Sequence, residues 1–120
     1  MPGFFGTGGP SAKPVVQCAS AAGVLNIDLA RGEYFAVTLT ENVTSVTFSN
    51  LPPAGFGASF LLWITQHASA VKTFTMPATF DWDSKTAEEI STTAGAVDLL
   101  GGTTRNGGSS WDVTISKDRG

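Results

Sequence analysis

Few side chains in this sequence could perform acid–base or nucleophilic chemistry. His67 is the only histidine and lies in a polar stretch, residues 66–69, while Cys18 is the only cysteine. A nucleophilic triad needs a base beside its nucleophile, so the fold would have to bring His67 and Cys18 together from distant segments. A lone histidine without visible partners is rarely catalytic. We therefore interpret His67 as a surface loop residue and Cys18 as a small buried hydrophobic residue.

Acidic residues offer a second kind of chemistry, because paired carboxylates act as acid and base in glycoside hydrolysis. The candidates are Asp81, Asp83, Glu88, Glu89 and Asp98. Their spacing is not diagnostic, and a hydrolase is the least favoured hypothesis. Asp81 and Asp83 flank Trp82 at a strand end and share one face, where they would bind calcium or lie in water; we favour water. The sequence thus predicts no catalytic residue, no cofactor and no metal site.

Two further motifs carry no functional prediction. The glycines of residues 6–9 have no strand before them, no helix after them and no Lys-Ser/Thr element, so they do not form a phosphate loop. Asn42-Val43-Thr44 matches a glycosylation acceptor, which matters only on a secretory route. Residues 1–6 lack the basic and apolar regions of a signal peptide, so we expect a protein made in a host cytoplasm and not exported by that route.

The tryptophans could stack on sugar rings if their faces were exposed. Trp63 and Trp111 lie in strong strand patterns, which predicts core positions for both. Trp82 lies near a strand end and is the best candidate for a sugar platform, although packing is favoured there too.

Composition and charge narrow the classes of partner. The 120 residues fit one domain, charged residues make up only 14% of them, and the formal net charge is −3. The negative net charge gives no positively charged surface to bind the phosphate groups of a nucleic acid, so we expect no nucleic-acid binding. The longest apolar run, residues 58–64, is far shorter than the roughly 20 residues that span a bilayer, so we expect no membrane insertion. A protein or a neutral sugar is the expected partner, and a small-molecule ligand is not.

The chain divides into two segments of different composition. Residues 1–14 hold three prolines and four glycines together with Phe4 and Phe5, which predicts a flexible, extended N-terminal arm. Residues 15–120 show short apolar runs separated by turn residues every ~8–12 positions. We predict for them an all-β fold, an antiparallel two-sheet β-sandwich of jelly-roll-like form with about eight strands; a closed barrel is the alternative.

Strand patterns in the first half predict a hairpin and a central strand. Residues 34–40 and 44–49 alternate in hydrophobicity on either side of Glu41 and Asn42, which predicts a hairpin with both strands facing one core. Residues 60–64 are apolar on both faces. This pattern is expected of a central strand that is covered on both sides, or covered on one side and in contact with another subunit on the other.

A second predicted hairpin lies near the end of the chain. Residues 97–105 and 109–115 form two β patterns that flank Asn106-Gly107-Gly108. Asparagine and glycine readily adopt the positive φ angles that a hairpin turn requires, so this hairpin is the clearest local prediction of the sequence.

Five stretches of the sequence are specific when taken together. They are FAVTLTENVT at residues 35–44, TFSNLP at 47–52, LWITQ at 62–66, AVDLL at 96–100 and NGGSSW at 106–111. On these stretches the chain, from about residue 24 to residue 111, resembles a β-sandwich domain that recurs in virion proteins of tailed bacteriophages. Residues 75–82 keep the proline and tryptophan of that family's middle segment but lack the glycines that follow them.

The resemblance implies a structural module of a phage particle with no catalytic residues. Because the chain consists of a sandwich and an arm, we expect a capsid decoration, or cement, protein on the head exterior that binds the major capsid protein or another virion protein. The arm would lie across a neighbouring subunit, with Phe4 and Phe5 as apolar anchors. We expect a homo-oligomer and favour a trimer. The alternative is a tail or head appendage, of tail-fibre type, that binds a host receptor or a polysaccharide.

Overall fold

The structure, a computed structural model, describes residues 12–118. These residues form eight strands and no helix, which confirms the predicted all-β class and the number of strands. The strands are β1 (Val15–Cys18), β2 (Val24–Asp28), β3 (Tyr34–Thr38), β4 (Ser45–Ser49), β5 (Ala58–Thr65), β6 (Phe80–Trp82), β7 (Val97–Thr104) and β8 (Trp111–Ser116).

The predicted arm over residues 1–14 lies outside the described residues except for its last three, and so do Phe4 and Phe5. Lys13 is among the described residues, and its Nζ lies 3.4 Å from Oε1 of Glu33. Glu33 immediately precedes β3. The chain therefore enters the fold beside the first residues of β3.

The eight strands form two sheets with mixed pairing. The large sheet has the order β1-β3-β5-β7-β8-β6, and the small sheet pairs β2 with β4. β5 with β7 and β7 with β8 are antiparallel, whereas the other four pairs are parallel. The predicted antiparallel, jelly-roll-like pairing is therefore found only at β5, β7 and β8.

Three of the four parallel pairs arise because the chain alternates between the two sheets over its first five strands. β1, β3 and β5 lie side by side in the large sheet, and β2 and β4 lie in the small one. A strand that returns to a sheet after crossing a second layer runs parallel to the strand it left, since the chain has been carried back to the same end. Val15 consequently pairs with Tyr34, and Tyr34 with Leu61.

The hairpin predicted around Glu41 and Asn42 is wrong for the same reason. β3 and β4 belong to different sheets, and residues 39–44 carry the chain from one layer to the other. The Gly23 amide donates to Oε2 of Glu41 at 3.0 Å, and the Thr73 amide donates to Oδ1 of Asn42 at 2.9 Å. The two side chains thus bind neighbouring connections instead of closing a tight turn.

The hairpin predicted near the end of the chain is confirmed. β7 and β8 pair in antiparallel register, with Gly102 opposite Val113. Gly107 and Gly108 have φ angles of 72° and 90°, in the left-handed region that glycine adopts without steric cost. The hydroxyl oxygen of Thr104 accepts the Gly108 amide at 2.9 Å, which fixes the loop from inside.

An aromatic cluster between the two sheets forms the centre of the core. Phe48 of the small sheet stacks on Trp111 of the large one with a centroid distance of 4.8 Å, and Phe60 meets Trp111 edge-on at 5.2 Å. Trp111 is 1% exposed, as predicted. Stacked and edge-on arrangements of this kind add favourable energy beyond the apolar area that they bury.

Candidate functional site

The most unusual surface of the protein is the outer face of the large sheet, which is the face that points away from the small sheet. β5 places Phe60, Leu62 and Ile64 on the inner face, where each is at most 2% exposed. Its alternate residues Leu61 and Trp63 point outward and are only half-buried. The apolar character predicted for both faces of this strand is therefore real, but only one face is fully covered in the described part of the chain.

Neighbouring strands extend this surface in two rows. Ala36, Trp63 and Leu99 form one row by direct pairing across β3, β5 and β7. Tyr34 and Leu61 begin the second row, and the ring centroids of Tyr34 and Trp63 are 6.3 Å apart. We call these five half-buried residues the outer patch. None of them is charged, which is typical of the centre of a protein interface.

A groove of about 370 Å³ lies at one end of the outer patch. Its lining includes Glu33, Tyr34, Leu61, Gly101, Asp112 and Thr114. Gly101 forms a low point in its floor, because a Cβ at that position would stand 3.0 Å from Cδ2 of Leu61. Two carboxylates, those of Glu33 and Asp112, mark its opposite ends. The groove therefore combines an apolar floor with acidic margins.

The core position predicted for Trp63 is wrong. Hydrophobicity alone cannot distinguish the two faces of a strand that is apolar throughout, and the sequence of β5 gave no other signal. In the structure the inner face runs through Phe60, Leu62 and Ile64 and continues to Gln66, which is 2% exposed. Trp63 instead stands on the opposite side, beside Tyr34.

Trp82 is 9% exposed and meets Phe80 edge-on at a centroid distance of 6.1 Å. It contributes to a second, shallow groove of about 470 Å³, together with Asp81, Asp83 and Lys85. The role of Trp82 as a sugar platform stays a prediction.

The acidic residues considered for hydrolysis are not gathered into one cluster. Asp81 and Asp83 are exposed, and Asp81 pairs in register with Asp112 of β8. Asp98 is 2% exposed and belongs to a different place in the fold. Its carboxylate accepts the Ser91 amide at 2.6 Å and the Asp118 amide at 2.7 Å, which are structural contacts between loops.

Glu88 and Glu89 lie near the C-terminal end of the described chain. Ser84 donates its hydroxyl to Oε2 of Glu88 at 3.1 Å, and Lys117 donates its ammonium to the Glu89 backbone carbonyl at 3.0 Å. Both contacts are exposed. These glutamates hold connections together at the surface.

His67 and Gln66 organise the turn that follows β5. Nδ1 of His67 accepts the backbone amides of Ser69 and Ala70 at 3.1 and 2.9 Å, so the imidazole closes a local turn. The Gln66 amide donates to the carbonyls of Lys72 and Ser91, at 3.0 and 3.1 Å. Sequence reasoning missed Gln66, because a glutamine just beyond a strand that is apolar on both faces carries no signal of burial.

No three histidine, cysteine, aspartate or glutamate side chains come together to form a metal site within residues 12–118. Cys18 is half-buried, and burial raises the pKa of its thiol above the ordinary value for cysteine. Its Sγ faces the Val16 carbonyl oxygen at 3.7 Å. The thiol is thus kept in its protonated, weakly nucleophilic form.

A smaller apolar surface lies at the tip of the β4–β5 connection. Phe56 is 62% exposed and Leu51 is 43% exposed. The Gly107 amide donates to the Phe56 carbonyl at 3.1 Å, so the β7–β8 loop braces this tip. The tip is therefore held in place although its largest side chain is open to solvent.

Residues 12–118 contain no helix that is long and apolar enough to cross a membrane. Comparison of the chain with family models, with curated proteins and with solved structures finds no match.

Proposed function

We propose that this protein is a structural component of a tailed-bacteriophage particle, which decorates the exterior of the head by docking onto other protein subunits. The outer patch is the observation that carries the proposal. It presents a tryptophan, a tyrosine and two leucines at the centre of a sheet face, with charged groups only toward the margin. Tryptophan and tyrosine are enriched among the residues that contribute most to protein–protein binding.

The size of the face fits a docking role. Standard interfaces bury about 800 Å² on each partner, whereas the largest apolar patch of an ordinary monomer covers about 300–600 Å². A six-stranded sheet whose central strands β5 and β7 are each eight residues long offers a broad surface for such an interface. In this proposal the two layers act as a sandwich that is closed on its inner side, and the outer patch is the surface that docks onto another subunit.

The position on a phage head rests on the sequence resemblance described above. The partner is the major capsid protein or another virion protein, and Phe4 and Phe5 add apolar contacts to the docking surface. The buried, internally bonded state of Asp98 and the turn-forming role of His67 favour docking over catalysis, because neither residue is presented to a substrate.

The test is binding of the purified protein to heads that lack it. Trp63→Lys places a charge in the outer patch without disturbing the core, and we expect it to abolish binding while the protein stays folded. Ser45→Lys, on the exposed face of the small sheet, is the matched control and should bind like the wild type. Equal binding by both variants would contradict the proposal.

Copy number provides an independent measurement. A head decoration protein should appear in purified virions in a fixed, high ratio to the major capsid protein, as quantified by mass spectrometry. A few copies per particle would instead assign the protein to a tail.

The groove beside Trp82 favours one second candidate, an appendage that binds a host polysaccharide. Aspartates at an aromatic edge can accept hydrogen bonds from sugar hydroxyls while the ring contacts the sugar face. Under this alternative, a glycan array would give a specific signal that Asp81→Ala and Asp83→Ala weaken, whereas Glu89→Ala, outside the groove, would not. A blank array would exclude this function for the sugars displayed.

A further inference from the structure

We propose that residues 1–11 of the same chain bind in the groove at the end of the outer patch, and that the side chains of Phe4 and Phe5 fill it. The groove lies where the described chain begins. Lys13 already reaches Glu33, which lines the groove, and the two side chains form an ion pair at 3.4 Å. The described chain thus begins at the groove's margin.

The distances match. Sheet strands lie about 4.8 Å apart, so the groove, which crosses from β3 to β8, is about 14 Å long. Phe5 precedes Lys13 by eight residues. A flexible glycine-rich chain of that length has an end-to-end distance of about 14–17 Å. A chain of this length therefore lets the phenylalanines reach any part of the groove without being fully extended.

The volume and chemistry match as well. A cavity of about 150 Å³ holds one benzene ring, so a groove of about 370 Å³ has room for two phenyl side chains. Its floor at Gly101 and Leu61 is apolar. Residues 1–11 contain no acidic side chain that Glu33 or Asp112 would repel. The glycines and prolines of the segment allow its backbone to lie close to the sheet.

Attachment to the same molecule favours this occupant over a second copy. A linked segment acts at an effective concentration in the millimolar range, well above the concentration of a separate chain at ordinary dilution. Seated in the groove, Phe4 and Phe5 would extend the outer patch by two aromatic residues. The inference concerns the free protein and does not depend on the phage assignment.

Nuclear magnetic resonance of the full chain tests directly whether residues 1–11 bind in the groove. Replacing Phe4 and Phe5 together by serine should shift the amide signals of Leu61, Gly101 and Thr114. Replacing both by tyrosine keeps the aromatic rings and should largely preserve those signals, and the amides of Asn26 and Thr47 on the small sheet should not move in either variant. Unchanged groove signals in the serine variant would overturn the proposal.

A disulfide trap identifies which molecule supplies the segment. In a Cys18→Ala background, Phe5→Cys combined with Thr114→Cys should form a disulfide within one molecule, seen as a monomer of shifted mobility on a non-reducing gel. Phe5→Cys combined with Ser45→Cys, on the opposite sheet, is the control and should form none. A Thr114 disulfide found only between two molecules would assign the groove to another copy and overturn the proposal.

Discussion

The two faces of the large sheet are built from the same strands and differ in what covers them. On the inner face, Phe60 packs against Phe48 of the small sheet, and both Phe60 and Leu100 are at most 2% exposed. On the outer face, Leu61 and Leu99 stand one residue away and remain half-buried. Sequence hydrophobicity is similar on the two sides. Apolar residues on a strand therefore indicate that burial of that face is favourable. They do not indicate whether the surface that buries it belongs to the same molecule or to another subunit.

The largest expected contrast compares a tryptophan on each face. Trp111→Ala removes a fully buried ring from the aromatic cluster and should cost about 3–5 kcal/mol of unfolding free energy. Trp63→Ala removes a half-exposed ring and should cost about 1 kcal/mol. Chemical denaturation at low protein concentration measures both. Equal losses would show that the outer face contributes to monomer stability as much as the core does.

A smaller contrast compares adjacent glycines of β7. A Cβ at Gly102 would lie 2.6 Å from Cε2 of Phe60 and 3.1 Å from Cγ1 of Val113, both in the packed core. Gly102→Ala should therefore destabilise the fold by about 1–3 kcal/mol through overpacking. Gly101→Ala meets only the movable end of Leu61 and should change stability by less than about 0.5 kcal/mol. Thermal denaturation measures the stability of both variants. A larger loss for Gly101→Ala than for Gly102→Ala would contradict the assignment of Gly102 to the inner face and Gly101 to the outer face.

Self-association compares the two faces of the molecule by a measurement that does not depend on folding stability. Sedimentation should show an oligomer for the wild type, with the trimer as the expected state. Trp63→Lys should weaken association by about 2 kcal/mol or more, roughly 30-fold in the dissociation constant, because it buries a charge at the centre of the contact. Ser45→Lys should leave the oligomer intact. A monomeric wild type at all concentrations would mean that the outer patch is not a self-association surface.

The smallest expected effect concerns the ends of the small sheet, which covers the inner face. Hydrogen bonds from the Asn50 side chain and the Ala30 amide lower the pKa of Asp28, and bonds from the Ser20 hydroxyl and the Gly23 amide lower that of Glu41. A carboxyl whose pKa is lowered by folding stabilises the fold above its unfolded pKa, and that contribution is lost as the pH falls through the folded value.

Asp28→Asn should therefore lower the melting temperature slightly at pH 7, and the difference from the wild type should vanish as the pH falls below about 4. Asp83→Asn, beyond the end of β6, is the control and should change little at either pH. A difference that persists in acid would mean that Asp28 acts through its shape and not through its charge.

Local features of this fold could be predicted from the sequence, whereas the pairing of distant strands could not. The Asn106-Gly107-Gly108 turn carries its conformational preference in its own residues, and the alternation of Phe35 and Val37 marks the buried face of β3. The arm, with Phe4 and Phe5, and the sugar platform at Trp82 stay predictions.

The connection at Glu41 and Asn42 illustrates the limit. Two polar residues between two alternating strands are typical of a hairpin. Whether the second strand folds back beside the first or crosses to another layer depends on partners far along the chain, here the Gly23 and Thr73 amides. For the outer patch, the sequence indicated that β5 is apolar on both sides, but the residues that face outward followed only from the register.

Alternation of the chain between two layers has a consequence for the order of folding. β7 and β8 are joined by the six residues 105–110, so they can pair by a short local closure. The three parallel pairs among β1 to β5 join residues 19 to 27 positions apart, as Val15 with Tyr34 and Tyr34 with Leu61 do, and each waits for an intervening strand of the other layer. We expect the C-terminal hairpin to form early and to recruit β5 as its neighbour. The N-terminal strands would then join the sheet last. While the chain is still emerging from the ribosome, β7 and β8 are not yet available, so its first half cannot complete the large sheet.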